Sequence, residues 1–297
     1  MGQIVTPGKR RSAAHFDDAP GRQTCQSTAP GDTRMDRAAA TDIAPVTALL
    51  LAGRRPGVDA LAATRGETLK ALIPVAGIPM VARVVTTLLA TPAIGAIRVM
   101  TQDVDPIAAV LPADPRVAYL RSGDGIARSI AAALASGDAP FPLFVTTADH
   151  ALLTPATIAE FLNGAAGADV AVGMVERAVV EARFPQTKRT WLRFRKGDWS
   201  GANLFWFAGP AALPAIEAWA SVERDRKKGW KLIAKFGVGL LLRALTRTIT
   251  IHDAVAQAGR KLGAKVRIVG LSDPLAAVDV DKVADLELAE AVLEGRA

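Results

Sequence analysis

The chain has 297 residues, half of them hydrophobic, and a formal net charge of +7. That is enough apolar material for a sizeable core, and the positive balance favours anionic ligands: phosphates, nucleic acid or an anionic membrane surface. One cysteine, Cys25, excludes an internal disulfide and a cysteine-rich zinc site, and His15, His150 and His252 are too dispersed for a metal cluster.

Residues 1–44 are rich in Gly, Pro, Ser, Thr, Arg and Asp without hydrophobic period, and read as a disordered tail with Met35 as an internal candidate start. The opening Met1-Gly2-Gln3-Ile4-Val5-Thr6 matches a short myristoylation pattern of low specificity. From residue 45 onward the chain reads as a single domain. Val46 to Ala52 is an apolar run ending at Gly53, the pattern of a buried parallel strand. A polar, glycine-containing loop follows to about Leu69. Pro79 opens a helix with Val81, Val84, Val85, Leu88 and Leu89 on one face, and Pro92 closes it. Ile97 to Met100 and Val117 to Leu120 are strands, Ile126 to Ala135 an amphipathic helix, and Phe141 to Thr147 a buried strand. Ala168 to Val175, Arg189 to Arg195 and Asn203 to Phe207 follow as strands, then Pro210 to Val222 as a helix. Arg226 to Leu245 is a basic amphipathic stretch. Lys265 to Val269 and Ala277 to Val280 are strand candidates, and Val283 to Leu293 is a closing helix. Strands alternating with helices predict a mainly parallel, doubly wound α/β sheet.

Phosphate chemistry is suggested first by Leu51-Ala52-Gly53-Arg54-Arg55-Pro56-Gly57 and the later Lys70. Glycine at a strand's carboxyl end lets backbone N–H groups approach phosphate oxygens. Arginine binds phosphate in bidentate fashion, and lysine adds a point charge. The alternative reading is a flexible loop with solvated charges. Asp149, in Thr147-Ala148-Asp149-His150, follows a buried strand at the crevice where open α/β sheets bind ligands. A hard carboxylate suits Mg²⁺, which often takes one or two carboxylates plus substrate phosphates; otherwise Asp149 caps the helix at Pro155. Asp279 and Asp281 alternate onto one face of an extended segment, Asp279 being the favoured metal ligand and Asp281 a ligand or helix cap.

The run Leu51-Ala52-Gly53, a basic glycine loop and Lys70-Ala71-Leu72-Ile73-Pro74-Val75-Ala76-Gly77 resembles the signature of the MobA-like NTP transferases, within the nucleotide-diphospho-sugar transferase (GT-A) superfamily. That resemblance implies a three-layer α/β/α Rossmann-like (GT-A) fold with a mainly parallel mixed sheet. The activity implied is transfer of an NMP from an NTP to a phosphorylated small-molecule or lipid-linked acceptor, with Mg²⁺ as cofactor and pyrophosphate released. Gly53 and Lys70 match the family pattern well. The excursion between them is longer than usual, so Arg54, Arg55 and Arg65 all stay open as the phosphate-binding arginine. Asp149 resembles the family's metal-binding aspartate, with Asp279 to Leu286 similar to its closing acidic stretch. The candidate catalytic residues are Lys70, Asp149 and Arg54.

Ser122, Gly123 and Ser129 fall where family members hold the nucleobase; a tight turn with a helix cap is the other reading. Leu51, Ala52, Arg55 and Gly57 complete the candidate nucleotide site. Lys188, Arg189 and Asn203 lie where the family often has its acceptor side. Peripheral contact with an anionic membrane through residues 226–245, where Trp230, Leu232 and Phe236 accompany cations, competes with a solvated charged face. No nucleic-acid partner is expected, and a cytoplasmic setting is. Two other activities are weighed: a GT-A glycosyltransferase using a nucleotide sugar, and a non-catalytic basic nucleotide- or nucleic-acid-binding protein. The former usually carries Asp-x-Asp where this chain has Asp149-His150-Ala151, and the latter leaves the aspartates unexplained.

Overall fold

In chain order the elements are β1 (Val46–Leu51), α1 (Ala60–Thr64), β2 (Pro74–Val75), β3 (Ile78–Pro79), α2 (Met80–Leu89), β4 (Ile94–Thr101), α3 (Val104–Ala108), β5 (Val117–Arg121), α4 (Ile126–Ala135) and β6 (Leu143–Thr147). The second half contributes α5 (Pro155–Ala165), β7 (Val170–Glu176), α6 (Arg177–Arg183), β8 (Leu192–Phe194), β9 (Gly197–Phe207), α7 (Leu213–Arg224), α8 (Val238–Leu245), α9 (Ile251–Leu262), β10 (Val266–Leu271) and α10 (Val283–Leu293). This is a computed structural model, and it describes residues 45–54, 57, 59–123, 125–187, 189–224 and 237–297. The expected tail, residues 1–44, and most of the basic stretch, residues 225–236, lie outside the described residues.

The main sheet runs β10-β7-β9-β6-β1-β4-β5, with β8 added alongside β9. β1 is parallel to β4 and β6, β4 to β5, and β7 to β10. Among the strands of this sheet β9 alone is reversed, being antiparallel to β6, β7 and β8. Alternation along β1 separates two cores: Val46, Ala48 and Leu50 face the cluster containing α2 and α5, whereas Leu49 faces Ile130 and Ala133 of α4 and Ile216 of α7. The sheet is therefore covered on both sides, and the expected three-layer α/β/α fold is present.

Several elements differ from the sequence expectation for identifiable reasons. Ala277 to Val280 is not a strand. Asp273 accepts a hydrogen bond from Leu275 N at 2.8 Å, closing the 3₁₀ turn Pro274–Ala277, and Val278 and Val280 bury their side chains without joining a ladder. The alternating segment from Arg189 pairs only over Leu192–Phe194, the part that β9 reaches. β9 in turn starts at Gly197, well before the predicted Asn203, because its first half pairs with β8 and the end of β7. The loop after Gly53 contains α1, whose N-cap Asp59 accepts from Ala62 N at 3.0 Å. The sequence reading passed over α9 altogether.

Close approach fixes one helix against the sheet. A Cβ at Gly164 of α5 would lie 2.5 Å from Val269 Cγ1 of β10. Gly164→Ala is expected to lower stability by about 1–3 kcal/mol through overpacking, measured as a shift of the urea midpoint.

Candidate functional site

The carboxyl ends of β1 and β6 meet where Ala148 N donates to Leu51 O at 3.0 Å, extending the ladder one residue beyond the strands. The chain then turns, and Asp149 projects at the sheet's rim with Thr147 Oγ1 donating to its Oδ1 at 2.5 Å. Asp149 does not cap α5; that role belongs to Thr154, which accepts from Thr157 N at 3.1 Å. The segment after the 3₁₀ turn comes to the same place, since Val280 N donates to the backbone oxygen of Asp149 at 3.0 Å. This contact brings the last acidic pair beside the β6 aspartate from more than a hundred residues away.

Lys70 opens a single 3₁₀ turn, Lys70–Leu72, and its ammonium lies between two carboxylates. Nζ donates to Asp149 Oδ2 at 2.7 Å and also to Asp281 Oδ1. Burial works to strip the proton from Lys70, but Asp149 and then Asp281 outweigh it, and its pKa stands above the ordinary lysine value. The ammonium is thus a fixed positive charge at neutral pH. Asp279 takes a different partner: its Oδ1 accepts from Arg189 Nη1 at 3.1 Å. Burial raises the Asp279 pKa, the Asp281 and Asp149 charges raise it further, and Arg189 only partly opposes them. So Asp149, Asp279 and Asp281 sense one another, with Lys70 and Arg189 as the cations among them. Asp281 is not the cap of α10, whose N-cap position is Lys282.

Among the described residues no group of three or more His, Cys, Asp or Glu side chains is placed to hold a metal ion by itself. A magnesium site requires less, because two hard carboxylates with water and substrate phosphates complete its shell. The donors here are of that kind and fit such an ion. Asp149 with either Asp279 or Asp281 would supply them.

The glycine loop borders this cluster. Gln102, which the sequence reading did not single out, brackets Arg54 with both ends of its amide: Arg54 N donates to Oε1 at 2.8 Å, and Nε2 donates to Arg54 O at 3.1 Å. A Cβ on Gly53 would meet that amide at 3.0 Å and Ser122 Oγ at 3.3 Å, so glycine is what lets the three groups close together. Arg54 itself is exposed, with Nε 3.8 Å from Asp103. Gly57 has φ +104° with open space around it, and Arg65 caps the C-terminus of α1. Leu51 and Ala52 end the strand, whereas Arg55 lies outside the described residues. Ser129 Oγ accepts from Gly123 N at 3.0 Å and donates to Gly125 O at 2.8 Å. Its hydroxyl thus ties the turn before α4.

Across the cluster a cavity of about 360 Å³ is walled by Arg189, Ser200, Asn203, Asp279, Asp281 and Lys282. Arg189 is nearly buried, and its Nε has no hydrogen-bond partner among the described residues. Asn203 adopts φ +52° where β9 bulges against β7. Lys188 lies outside the described residues.

His150 is buried immediately behind the rim, and neither ring nitrogen has a hydrogen-bond partner among the described residues. Burial lowers its pKa to about 4, against the pull of Asp149 and Asp273. In the unfolded chain it titrates near 6.5. Its contribution to stability is complete above that value and is lost as pH falls through the folded pKa, about 3 kcal/mol over the window. His150→Leu is expected to blunt the fall in urea midpoint between pH 7 and 4; an equal fall in both proteins would remove His150 from this role.

Residues 48–238 match the MobA-like NTP transferase domain. The chain belongs to that family. A hypothetical transferase from Thermus thermophilus superposes on this MobA-like chain with a TM-score of 0.70 at 30% identity, covering 82% of this chain and 100% of that one. A 4-diphosphocytidyl-2C-methyl-D-erythritol synthase from Anaerococcus prevotii gives a TM-score of 0.55 at 12% identity, covering 84% and 96%. A CMP:2-keto-3-deoxy-manno-octonic acid synthetase complexed with CTP gives 0.53 at 12% identity, covering 86% and 100%. The likeness to these last two is one of fold. No curated protein matches the MobA-like chain significantly. Among its described residues no helix is long and apolar enough to cross a membrane.

Proposed function

We propose that this chain is a nucleotidyltransferase that moves a nucleoside monophosphate from an NTP to a phosphorylated acceptor and releases pyrophosphate, in the cytoplasm. The observation that carries this reading is the Lys70 ammonium, held between Asp149 and Asp281 beside the Gly53 loop at the carboxyl rim of the sheet.

In this reading the triphosphate lies over the backbone of residues 51–54, which the Gln102 amide holds in shape. An oxygen of the acceptor's phosphate forms a bond to the α-phosphorus, the bond from that phosphorus to the bridging oxygen breaks, and pyrophosphate leaves. The attacking oxygen is already ionised at neutral pH, so no general base is required. Lys70 offsets charge on the triphosphate, and the Arg189 side of the cavity receives the acceptor. Magnesium, when held by Asp149 with Asp279 or Asp281, supplies charge neutralisation and orients the phosphates.

A thermal-shift panel of the four NTPs, each with and without Mg²⁺, tests the reading. One NTP is expected to raise the melting temperature by several degrees, and only with the metal, as mass action predicts for a ligand in excess over its Kd. No shift with any of the four at millimolar concentration would overturn it. Stabilisation by a nucleotide sugar, without pyrophosphate release from any NTP, would replace it with sugar transfer.

A further inference from the structure

Helix α8 presents an apolar stripe that is exposed among the described residues. Its sequence, VGLLLRAL, is largely aliphatic, yet none of its residues is buried. Val238 is 63% exposed, Leu242 55% and Leu245 70%; no other large apolar side chain among the described residues exceeds the 48% of Leu192. The three stand at i, i+4 and i+7, so they form one line along the helix rather than scattered points. Leu240 and Ala244, further round the helix, and Leu241, at the stripe's edge, are each half-buried. The stripe is therefore the outward face of a helix seated on the protein by its other side. Single exposed leucines are ordinary on protein surfaces, but an aligned, continuous set marks an interaction site.

The charges around the stripe indicate what covers it. Arg243 lies on a different face of α8, and Arg247 follows its C-terminus; both are exposed. Between positions 224 and 247 the sequence carries eight Lys or Arg against the single acid Asp225. A second copy of the chain, docked face to face on α8, would bring these cations against their equivalents. An anionic lipid surface has the complementary sign and accepts leucine side chains below its headgroups while arginines remain at the phosphates.

We propose that α8 is an interfacial helix, with Val238, Leu242 and Leu245 inserted into an anionic membrane surface and Arg243 and Arg247 at its headgroups. The proposal does not depend on the reaction assigned to the rim. The full-length chain is sedimented with vesicles of phosphatidylcholine alone and of phosphatidylcholine with 30 mol% phosphatidylglycerol (about that fraction suffices for a strongly anionic surface), in low and high salt. Binding is expected for the anionic vesicles, weakening in high salt. Leu242→Glu/Leu245→Glu is expected to reduce the partition coefficient by roughly tenfold or more, while its circular dichroism and melting temperature remain those of the parent. Three outcomes would overturn the proposal: no binding to anionic vesicles, equal binding to both kinds, or binding that the double variant retains. A mass that rises with concentration in the parent and not in the double variant would also overturn it, assigning the stripe to a second copy of the chain.

Discussion

Asp149→Asn is expected to lower NTP-dependent pyrophosphate release on the order of 10²–10³-fold, the range found when one preorganised charge-stabilising group is removed from an active site. The substitution keeps the side chain's size and leaves an oxygen to accept the Thr147 hydroxyl. The backbone bond from Val280 N to Asp149 O is unaffected, so the two segments stay joined. What is lost is one negative charge facing Lys70 and whatever cation accompanies the triphosphate. The fold should persist, with near-native circular dichroism. A folded variant releasing pyrophosphate at the parent's rate would sink the assignment of Asp149, whatever the remaining aspartates do.

Lys70→Met separates two roles that the ammonium plays. Lys70 neutralises Asp149 and Asp281 and would therefore compete with a divalent ion for them. Removing it leaves Asp149, Asp279 and Asp281 with Arg189 as the near cation. Binding of Mn²⁺ alone, followed by electron paramagnetic resonance or calorimetry, is expected to tighten about tenfold, as loss of one opposing charge at short range requires. Pyrophosphate release should nevertheless fall roughly 10²-fold or more, because the triphosphate loses its fixed counter-charge. Unchanged metal affinity in a folded Lys70→Met protein would show that the carboxylates and Lys70 do not compete for one position. An unchanged rate would show that Lys70 does not meet the phosphates.

The two experiments read different halves of the cluster. Asp149→Asn is expected to weaken metal binding and the reaction together, whereas Lys70→Met is expected to strengthen the first and weaken the second. A merely structural salt bridge would produce neither pattern, only a shared loss of stability.

Much of the fold was legible because its cause is local. α4 and α10 occupy the ranges predicted from apolar spacing, Ile126–Ala135 and Val283–Leu293, and β1 follows from an apolar run closed by glycine. What escaped was set by distant partners. Asn203 to Phe207 is apolar enough to identify as a strand, but the first half of β9 is polar and exists because β8 and β7 flank it. Conversely, the apolar Val278 and Val280 imitate a strand, although they only fill a core beneath the rim. α9 left a signal that was missed: Thr250 accepts from Asp253 N at 3.1 Å at its start, and Gly263 takes φ +71° at its end. Its low overall hydrophobicity hid both marks.

Within the candidate site, Gly53 and Asp149 could be named because each follows a strand's end, and Lys70 as the lysine beyond the glycine loop and through the family resemblance. Sequence reasoning preferred Asp279 to Asp281 as the second carboxylate. In the structure Asp281 meets Lys70 and Asp279 meets Arg189. Two residues of the same type, separated by one valine, cannot be told apart until the chain's return across the rim is known. Gln102 was invisible for the same reason: its task is to hold the backbone of Arg54, forty-eight positions earlier, and no local pattern encodes it.

The reversal of β9 has a consequence for how such an enzyme diversifies. Because this strand alone arrives at the rim by its beginning, Ser200 and Asn203 stand next to a hairpin rather than at the end of a strand feeding a helix. In the proposed reading the residues that would meet the triphosphate and its metal come from 51–54, 70, 149 and 279–281, and those that would meet the acceptor from 189–203. If the proposed reading holds, substitutions or length changes in the β8–β9 hairpin would remodel the acceptor's berth with little effect on the triphosphate's, so a single donor half would serve many acceptors over evolutionary time.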